Sequence, residues 1–428
     1  MPNLKSLTRA VLLASLLLTG CSQGAGANQE LSDKPVTIRF TWWGSDERHK
    51  RTQQVIELFH KKHPNITVKG EFKEWNGYWE SLATTVAAND APDIIQMDEL
   101  YLASYAERGA LLDLGTAKKY LTTGDFDQNA LATGVVGGKQ YALPVGLGAY
   151  SMVLNTDLLK QYGIPEPDDK TWTWADFQEL GAKVSKASGG KVSGVQSLGL
   201  DVGGVNVWVR QNGAKLFDDK GKVVAPPAVL ASYWSYIRDL SKAGVSPAPS
   251  VIIEKGTGAL DQSGTATNTA ALATWWNTQL TALTAASGAN LKLLDLPGES
   301  KTAGAYYKPS MFWSVSSRSK HPAEAALFVD FLANSQEAGD VLLTDRGVPA
   351  NKKIRSAITA KLTGTDKAAI DYLDQLKVSE APRVTPNGAS NLETILRRHT
   401  EDVLFGRATP DQAATAFIRE LQAEIDAA

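Results

Sequence analysis

The sequence predicts an α/β protein of two or three domains or lobes built on open, largely parallel sheets. The chain has 428 residues, more than one hydrophobic core usually serves. Hydrophobic residues make up 43% and charged residues 21%, which is the balance of a globular protein. From residue 36 onward short apolar strands alternate with amphipathic helices, and this β-α-β order is typical of parallel sheets with right-handed crossovers.

The first part of this alternation is the clearest. Hydrophobic periodicity predicts strands at Val36–Trp43, from Ile66 onward and at Pro92–Met97, with helices at Glu47–Lys62 and Tyr78–Ala88 between them. In open parallel sheets ligands lie beyond the carboxyl ends of the strands. Each of those ends here carries aromatic or polar side chains, at residues 42–45, 72–78 and 98–101. We therefore expect the functional site at this edge.

The rest of the chain continues the pattern. Strands are predicted at Ser151–Asn155, Thr269–Trp276 and Leu291–Leu296, and helices at Thr156–Tyr162, 174–187, Val205–Asn212, Ala228–Ala243, Pro322–Ala333, Asn391–Phe405 and Pro410–Ala427. Thr173 is a suitable N-cap for the helix that runs to Ala187. Residues 142–145 are expected to form an edge or crossing segment, because Pro144 has no N–H to donate to a central strand.

The N-terminus has the features of an export signal. Basic residues precede an apolar run at 10–18, which is too short to span a bilayer and has the length of a signal-peptide core. Leu18-Thr19-Gly20-Cys21 resembles the lipobox of bacterial lipoproteins. We expect a lipoprotein signal peptide at 1–20, a lipid on Cys21, a flexible tether at 21–35 and attachment to the outer face of the bacterial cell membrane. The alternative is an ordinary signal peptide with an incidental cysteine.

Charge and motif content exclude several classes of function. The formal net charge is -2, from 44 basic and 46 acidic residues, so no basic excess supports nucleic-acid binding. One cysteine excludes an intrachain disulfide, a Cys-rich zinc site and an iron–sulfur cluster. The sequence contains no nucleophile elbow, P-loop or Gly-x-Gly-x-x-Gly. His60 and His63 have possible metal spacing, but a solvated helix end explains them better. We expect neither a metal nor a cofactor.

Several short motifs occur in a fixed order along the mature chain. They are Ile38–Gly44, Ala91–Asp98, Ala106–Leu112, Gly138–Pro144, Asn155–Leu159, Ala270–Trp276, His321–Ala326, Phe331–Leu332 and Arg346–Ala350. In this order, and with the lipobox and tether before them, they resemble the solute-binding proteins of carbohydrate ABC importers, the large family that includes maltose-binding proteins (bacterial solute-binding protein family 1). The pattern departs from the family at Ser310–Trp313, where a smaller, Gly-rich segment is typical.

The resemblance implies a fold and a mode of action. The fold is the two-lobed, type II periplasmic-binding-protein-like α/β fold, in which each lobe is a mainly parallel sheet flanked by helices and the ligand cleft lies between the lobes. One lobe would comprise residues 36–143 and 291–345, and the other residues 144–290 and 346–428. Hinge closure would enclose the ligand. The closed monomer would then engage the permease subunits of an ABC transporter whose ATPase is a separate chain, and it would not be an enzyme.

The aromatic residues indicate a sugar, in particular an oligosaccharide, as the ligand. Tryptophan numbers 11, against 11 Phe and 12 Tyr. A pyranose stacks its apolar faces on aromatic rings, while polar groups bond its hydroxyls. Candidate platforms at the expected cleft are Trp43, Trp75, Tyr78, Trp208, Trp276 and Tyr307, and candidate hydroxyl partners are Ser45, Glu74, Asp98, Asn206, Asn277 and Asn391.

Core packing is the alternative role for each of these aromatic side chains. Trp275 and Trp276 are adjacent on a strand and face opposite ways. We choose Trp276 for the cleft, since Trp275 would share a packing face with the alanines at 271 and 273. Asp98 has the alternative of capping the helix that follows it. Trp172, Trp174 and Trp234 lie on expected outer helices and are assigned structural roles.

Two other functions remain open at the level of sequence. One is an anchored, secreted carbohydrate-active enzyme, because the acidic residues are plentiful although no pair is singled out by its spacing. The other is the same binding fold with a non-sugar solute. The many aromatic residues, and the absence of an Arg or Lys cluster near the strand ends, argue against an anionic ligand.

Overall fold

The computed structural model describes residues 30–44, 46–257, 260–362 and 364–428. The predicted lipidation site Cys21 and the candidate site residue Ser45 lie outside these ranges. The strands of the described part are β1 (Val36–Trp43), β2 (Ile66–Lys73), β3 (Ile94–Met97), β4 (Val135–Val136), β5 (Lys139–Gln140), β6 (Leu143–Gly148), β7 (Tyr150–Asn155), β8 (Ser193–Val195), β9 (Ala270–Trp276), β10 (Leu291–Leu294), β11 (Lys308–Val315) and β12 (Val348–Pro349).

The helices of the same ranges cover the sheets. They are α1 (Asp46–Lys62), α2 (Trp75–Ala87), α3 (Glu99–Glu107), α4 (Gln128–Ala132), α5 (Thr156–Gln161), α6 (Trp174–Ala187), α7 (Val202–Gln211), α8 (Pro227–Lys242), α9 (Pro249–Thr257), α10 (Leu280–Ser287), α11 (Pro322–Asn334), α12 (Gln336–Leu342), α13 (Lys352–Thr359), α14 (Gly364–Gln375), α15 (Leu392–Leu404) and α16 (Pro410–Asp426). None of the described helices is long and apolar enough to cross a membrane.

The described strands form two principal sheets, one for each lobe. The first sheet has the order β12-β6-β11-β3-β1-β2, and the second has the order β10-β7-β9-β8. In the first sheet β1 pairs in parallel with β2 and β3, as the β-α-β order predicts. We call the lobe around the first sheet the first lobe and the other the second lobe.

Both sheets are mixed rather than mainly parallel. In the first sheet β11 runs antiparallel to β3 and β6, and in the second sheet β7 runs antiparallel to β9 and β10. The difference has a topological reason, because β6 carries the chain out of the first lobe and β11 brings it back. The strand by which the chain enters each sheet from the other lobe, β7 or β11, therefore runs antiparallel to both of its neighbours.

The chain crosses between the lobes at three described places. It leaves the first sheet at Gly148 and enters the second at Tyr150, with only Ala149 between them. It returns between β10 and β11, and it crosses again between α14 and α15. In the structure, residues 143–148 belong to the first sheet and residues 291–294 to the second. The division predicted from the sequence instead assigned residues from 144 onward to the second lobe and residues from 291 onward to the first. The division of the whole chain into lobes stays a prediction.

Two hydrophobic cores stabilise the two lobes. The first contains Ile38, Phe40 and Phe328, and the second contains Phe177 and Phe417, all fully buried. Burial of such side chains contributes roughly 1.5–3 kcal/mol each.

The predicted structural tryptophans belong to the second lobe. Trp234 is fully buried and its Nε1 donates to the Thr400 hydroxyl at 2.9 Å, while the Nε1 of Trp172 donates to a backbone carbonyl. The predicted cap is also confirmed, because Thr173 and Asp176 form a reciprocal capping box at the start of α6.

Candidate functional site

A cavity of about 530 Å³ lies between the two lobes. This is within the range of small-molecule sites. Both lobes and the crossing segment between α14 and α15 form its walls. The lining residues include Glu99, Ala103, Asn129 and Val136 from the first lobe, Val202, Asn206, Arg210 and Phe217 from the second, and Glu380, Arg383 and Thr385 from the crossing segment.

A charged centre joins the two lobes beside this cavity. The Lys308 ammonium lies 3.5 Å from the Glu99 carboxylate of the first lobe and 5.5 Å from the centre of the Trp276 ring of the second lobe. Asp201 belongs to the second lobe, where its Oδ2 accepts a hydrogen bond from Trp276 Nε1 at 3.2 Å. Its Oδ1 accepts from the Gly203 N–H at 2.6 Å and caps α7. One lysine therefore faces acidic and aromatic groups from both sides of the cleft.

Burial and charge act against each other on these groups. Burial favours the neutral amine of Lys308, but the carboxylates of Glu99, Asp98 and Asp201 outweigh it and raise the pKa of Lys308 above its ordinary value. Burial also raises the pKa of Asp98 and of Asp201, and the Lys308 ammonium offsets part of that rise. The lysine thus stays protonated and stabilises the ionised form of both aspartates.

Trp276 is held rigidly at the end of β9. Its ring makes edge-on contacts with Tyr150 and Tyr306, at centroid distances of 5.0 and 6.2 Å. A Cβ at Gly203 would lie 2.9 Å from the Trp276 ring and 2.7 Å from the Tyr150 ring, so only glycine fits there. The indole is partly exposed and packs against the second core. A rigid, half-buried indole of this kind is suited to stack against an apolar face of a ligand.

A second cavity of about 240 Å³ opens on the second lobe. Asp201 and Tyr150 form part of its wall, so it adjoins the charged centre. Its lining is mainly polar and includes Gln196, Ser197, Thr274, Trp275, Gln279 and Arg397. The chosen Trp276 is absent from the lining residues of both this cavity and the larger one, whereas its neighbour Trp275 contributes to this one.

The first lobe contributes an aromatic cluster at the carboxyl end of β1. Trp43 packs edge-on against Trp75 at 5.0 Å and lies 5.3 Å from Tyr78, while Trp75 lies 6.5 Å from Tyr101. Trp75 is 38% exposed and is the surface member of the cluster, whereas Trp43 is buried beneath it. The cluster adjoins Asp98, whose charge acts on Tyr101 and raises the pKa of its hydroxyl in addition to burial.

The structure brings some of the predicted residues together. Asp98 and Trp276 meet at the charged centre, and Asn206 lines the larger cavity and donates to the Tyr306 hydroxyl at 3.4 Å. Asp98 also caps α3, because its Oδ1 accepts from the Leu100 N–H at 2.9 Å. Both roles considered for Asp98 are therefore compatible.

Other predicted residues lie elsewhere, and in each case a packing or hydrogen-bonding partner explains why. Tyr78 is buried, with its hydroxyl donating to the Gln96 carbonyl at 2.6 Å, and Tyr307 is buried in the first core. The Nε1 of Trp208 donates to Ser232, and its ring packs among aromatic side chains of α6 and α8. Asn277 is fully buried and bonds backbone groups.

Two predicted residues lie at the starts of helices. Glu74 precedes α2, and its Oε1 accepts from the Gly77 N–H at 2.6 Å. Asn391 is exposed at the first residue before α15 and does not cap that helix through its side chain. Neither residue lines the larger cavity.

Sequence reasoning missed Lys308, Glu99 and Asp201, which form the charged centre. A signal existed for Asp201, because an aspartate before Val-Gly-Gly at the start of a helix marks an N-cap with close backbone packing. Lys308 is the first residue of β11, where the chain re-enters the first sheet, and it directly follows Tyr307. No local sequence pattern around Lys308 identifies the carboxylates that it pairs with.

A two-lobed α/β fold with a polar and aromatic cleft between the lobes is typical of proteins that bind a ligand by hinge closure. The sequence profile of the bacterial extracellular solute-binding proteins matches residues 45–339, more than half of the chain. The chain therefore belongs to the family of bacterial extracellular solute-binding proteins.

Individual relatives agree with this assignment. A solved family 1 extracellular solute-binding protein from Alicyclobacillus acidocaldarius is 28% identical and has a TM-score of 0.76, covering 92% of this chain and 100% of its own. An uncharacterized lipoprotein in the oleD 5' region of Streptomyces antibioticus is 28% identical over 42% of this chain and 39% of its own. The diacetylchitobiose binding protein DasA of Streptomyces coelicolor is 29% identical over 41% of each. The chain thus spans about two fifths of the length of these two curated relatives.

Replacing Lys308 by methionine is expected to raise the pKa of the Asp98 and Asp201 carboxyls further. Both lose the nearby ammonium that favours their ionised form, while the burial that raises their pKa remains. The measurement is a carbon-13 NMR titration of the aspartate carboxyl groups. Lys292→Met is the matched control, because Lys292 pairs with Glu166 on the surface at 2.8 Å. Unchanged pKa values in Lys308→Met would contradict the charged centre.

Proposed function

We propose that the protein binds a sugar outside the cell, in particular an oligosaccharide, and delivers it to an ABC transporter by closing its two lobes. The observation that carries this proposal is the cleft in which Asp98 and Glu99 of the first lobe face Asp201 and Trp276 of the second across Lys308. A ligand that contacts groups of both lobes gains binding energy only while the lobes are close together. Binding energy then favours the closed arrangement.

The chemistry of the cleft suits a polyhydroxylated ring. Carboxylates accept hydrogen bonds from hydroxyl groups, and the amide of Asn206 and the guanidinium of Arg210 can donate to them. Trp276 offers an aromatic face for the C–H side of a pyranose, and the exposed Trp75 offers a second face at the rim of the first lobe. The Lys308 ammonium lies over one face of the Trp276 ring. A sugar that stacks on this face would displace the ammonium from the ring, and Lys308 would then interact only with the carboxylates.

We assign ligand contact to the predicted residues at or beside the cleft, namely Trp43, Trp75, Asp98, Asn206 and Trp276, and we add Glu99, Asp201 and Lys308. Ser45, which lies outside the described residues, stays a candidate on its sequence position alone. The diacetylchitobiose binding protein among the relatives supports a sugar as the ligand. Membership of the bacterial extracellular solute-binding proteins supports binding rather than catalysis. Permease subunits with a separate ATPase chain are the partners proposed for the closed monomer.

The function is tested by thermal unfolding in the presence of defined sugars. We would use N,N'-diacetylchitobiose, raffinose, maltotriose and galactose as probes. A sugar present at 100 times its dissociation constant adds ~2.7 kcal/mol to the free energy of unfolding, and the melting temperature rises accordingly. Product analysis of the same mixtures tests the alternative of a carbohydrate-active enzyme. Cleavage of a probe, or no shift with a wide panel of sugars, would contradict the proposal.

Trp276→Ala is expected to weaken binding of the stabilising sugar about ten- to a hundredfold. Stacking of a ring on an aromatic side chain contributes ~1–3 kcal/mol where it has been measured for bases, and we use that scale as a guide. Isothermal titration calorimetry gives the affinity, and the melting temperature reports the stability of the variant. Trp275→Ala is the control, because Trp275 donates to the Thr265 hydroxyl on the other side of β9. If Trp275→Ala weakens binding and Trp276→Ala does not, Trp275 and not Trp276 is the side chain that stacks on the sugar.

Cys21→Ser is expected to release the protein from the membrane fraction when the full chain is expressed in a lipoprotein-processing bacterium. A lipidated cysteine is the proposed anchor, and stable attachment requires more than one acyl chain. Fractionation followed by immunoblotting measures the distribution, with the neighbouring Ser22→Ala as the control. A variant that is processed and retained like the parent protein would contradict lipid attachment at Cys21.

A further inference from the structure

Asn277 lies where the chain first crosses between the lobes. Its Oδ1 accepts from the Ala149 N–H at 2.8 Å, and its own N–H donates to the Ala149 carbonyl at 3.0 Å. Ala149 is the single residue between β6 of the first sheet and β7 of the second. Asn277 itself directly follows β9 of the second sheet. The crossing residue is thus bonded on both its N–H and its carbonyl to one residue of the second lobe.

The remaining arm of the Asn277 amide reaches a different element. Its Nδ2 donates to the Ala369 carbonyl of α14 at 2.9 Å. The apolar face of α14 packs in the first core, through Ile370 and Leu373 among others. The side chain is fully buried, so both of its arms are shielded from water. One amide therefore ties together the crossing residue, the second sheet and a helix whose apolar face packs in the first core.

Two other side chains of α14 also form hydrogen bonds to the second lobe. The Tyr372 hydroxyl donates to the Tyr150 carbonyl at 3.3 Å, one residue beyond Ala149. At the start of the helix, Asp366 accepts from the Thr281 hydroxyl of α10 at 3.0 Å. The helix thus lies between the lobes: it packs in the first core and pairs with α13 through Asp374 and Arg355, while it also packs against α10 and β10 of the second lobe. A change in the angle between the lobes must therefore alter contacts of α14 on one side or the other.

We infer that Asn277 is the positioning residue of the hinge, and that its buried amide fixes the resting angle between the lobes. Rotation of the second lobe about Ala149 changes the separation between β9 and α14, and the Asn277 amide restrains that separation. Breaking either arm leaves a buried N–H or carbonyl unpaired, which is unfavourable. The inference rests on the proposed function only in that hinge motion serves binding. Its test needs no ligand.

The experiment measures the distance between the lobes by electron spin resonance on doubly labelled protein. Spin labels are attached to cysteines introduced at the exposed Lys69 of β2 and Lys186 of α6, in the full chain with Cys21 replaced by serine. Asn277→Ala is expected to widen the distance distribution and to shift its mean to longer distance. The restraint between β9 and α14 is lost in this variant, while each lobe keeps its own core.

Asn155→Ala is the matched control, because Asn155 is also a buried asparagine with both amide arms bonded. Its partners, Leu158 and Asn268, belong to the same lobe as Asn155 itself. This control is expected to lower the melting temperature without changing the distance distribution. A merely structural role for Asn277 would give the same result, so a parental distribution in Asn277→Ala overturns the inference. Equal broadening in the control overturns it as well.

Two gentler variants decide the question if Asn277→Ala does not fold. Asn277→Asp keeps an acceptor for the Ala149 N–H but removes the donor to the Ala369 carbonyl. Tyr372→Phe removes only the bond to the Tyr150 carbonyl. Both are expected to broaden the distribution, and parental distributions in both overturn the inference. Failure of the sugar panel would leave these distances unaffected, so the two proposals fail separately.

Discussion

Each lobe of this protein is completed by chain that has just left the other lobe, and the rest of the structure depends on that constraint. The strands β6 and β11 belong to the first sheet, yet the chain leads directly from β6 into the second sheet and reaches β11 from it. The lobes can therefore rotate but cannot separate. Groups on the crossing segments lie next to both lobes, because the chain there passes from one sheet to the other. This explains why Lys308, the first residue of β11, can face carboxylates of both lobes.

The charge balance of the cleft follows from this placement. Three carboxylates from the two lobes lie close enough to raise the pKa of Lys308 although burial opposes the rise. Without the lysine, buried Asp98 and Asp201 would each lose a nearby positive charge that favours their ionised form. The lysine thus stabilises carboxylates of both lobes in their ionised form, in which their oxygens only accept hydrogen bonds. Such an arrangement favours an uncharged, hydroxyl-rich ligand over an anion.

The sequence predicted the elements better than their connections. The parallel β1, β2 and β3 and the capping box at Thr173 follow from local periodicity and local hydrogen bonds. Asn277 shows where local reasoning fails, because its position beside Trp276 placed it at the cleft. Its partners Ala149 and Ala369 are 128 and 92 residues away along the chain, and they bury it. The charged centre was missed for the same reason, since the partners of Lys308 come from distant parts of the chain.

The most direct test of the account is small-angle X-ray scattering with and without a sugar that raises the melting temperature. Binding between lobes that rotate about the crossing segments draws them together, so the radius of gyration should fall at saturating sugar. The distance distribution should lose its longest separations while the forward scattering stays that of a monomer. A radius of gyration that stays unchanged, although calorimetry shows the site to be saturated, would contradict ligand-driven closure.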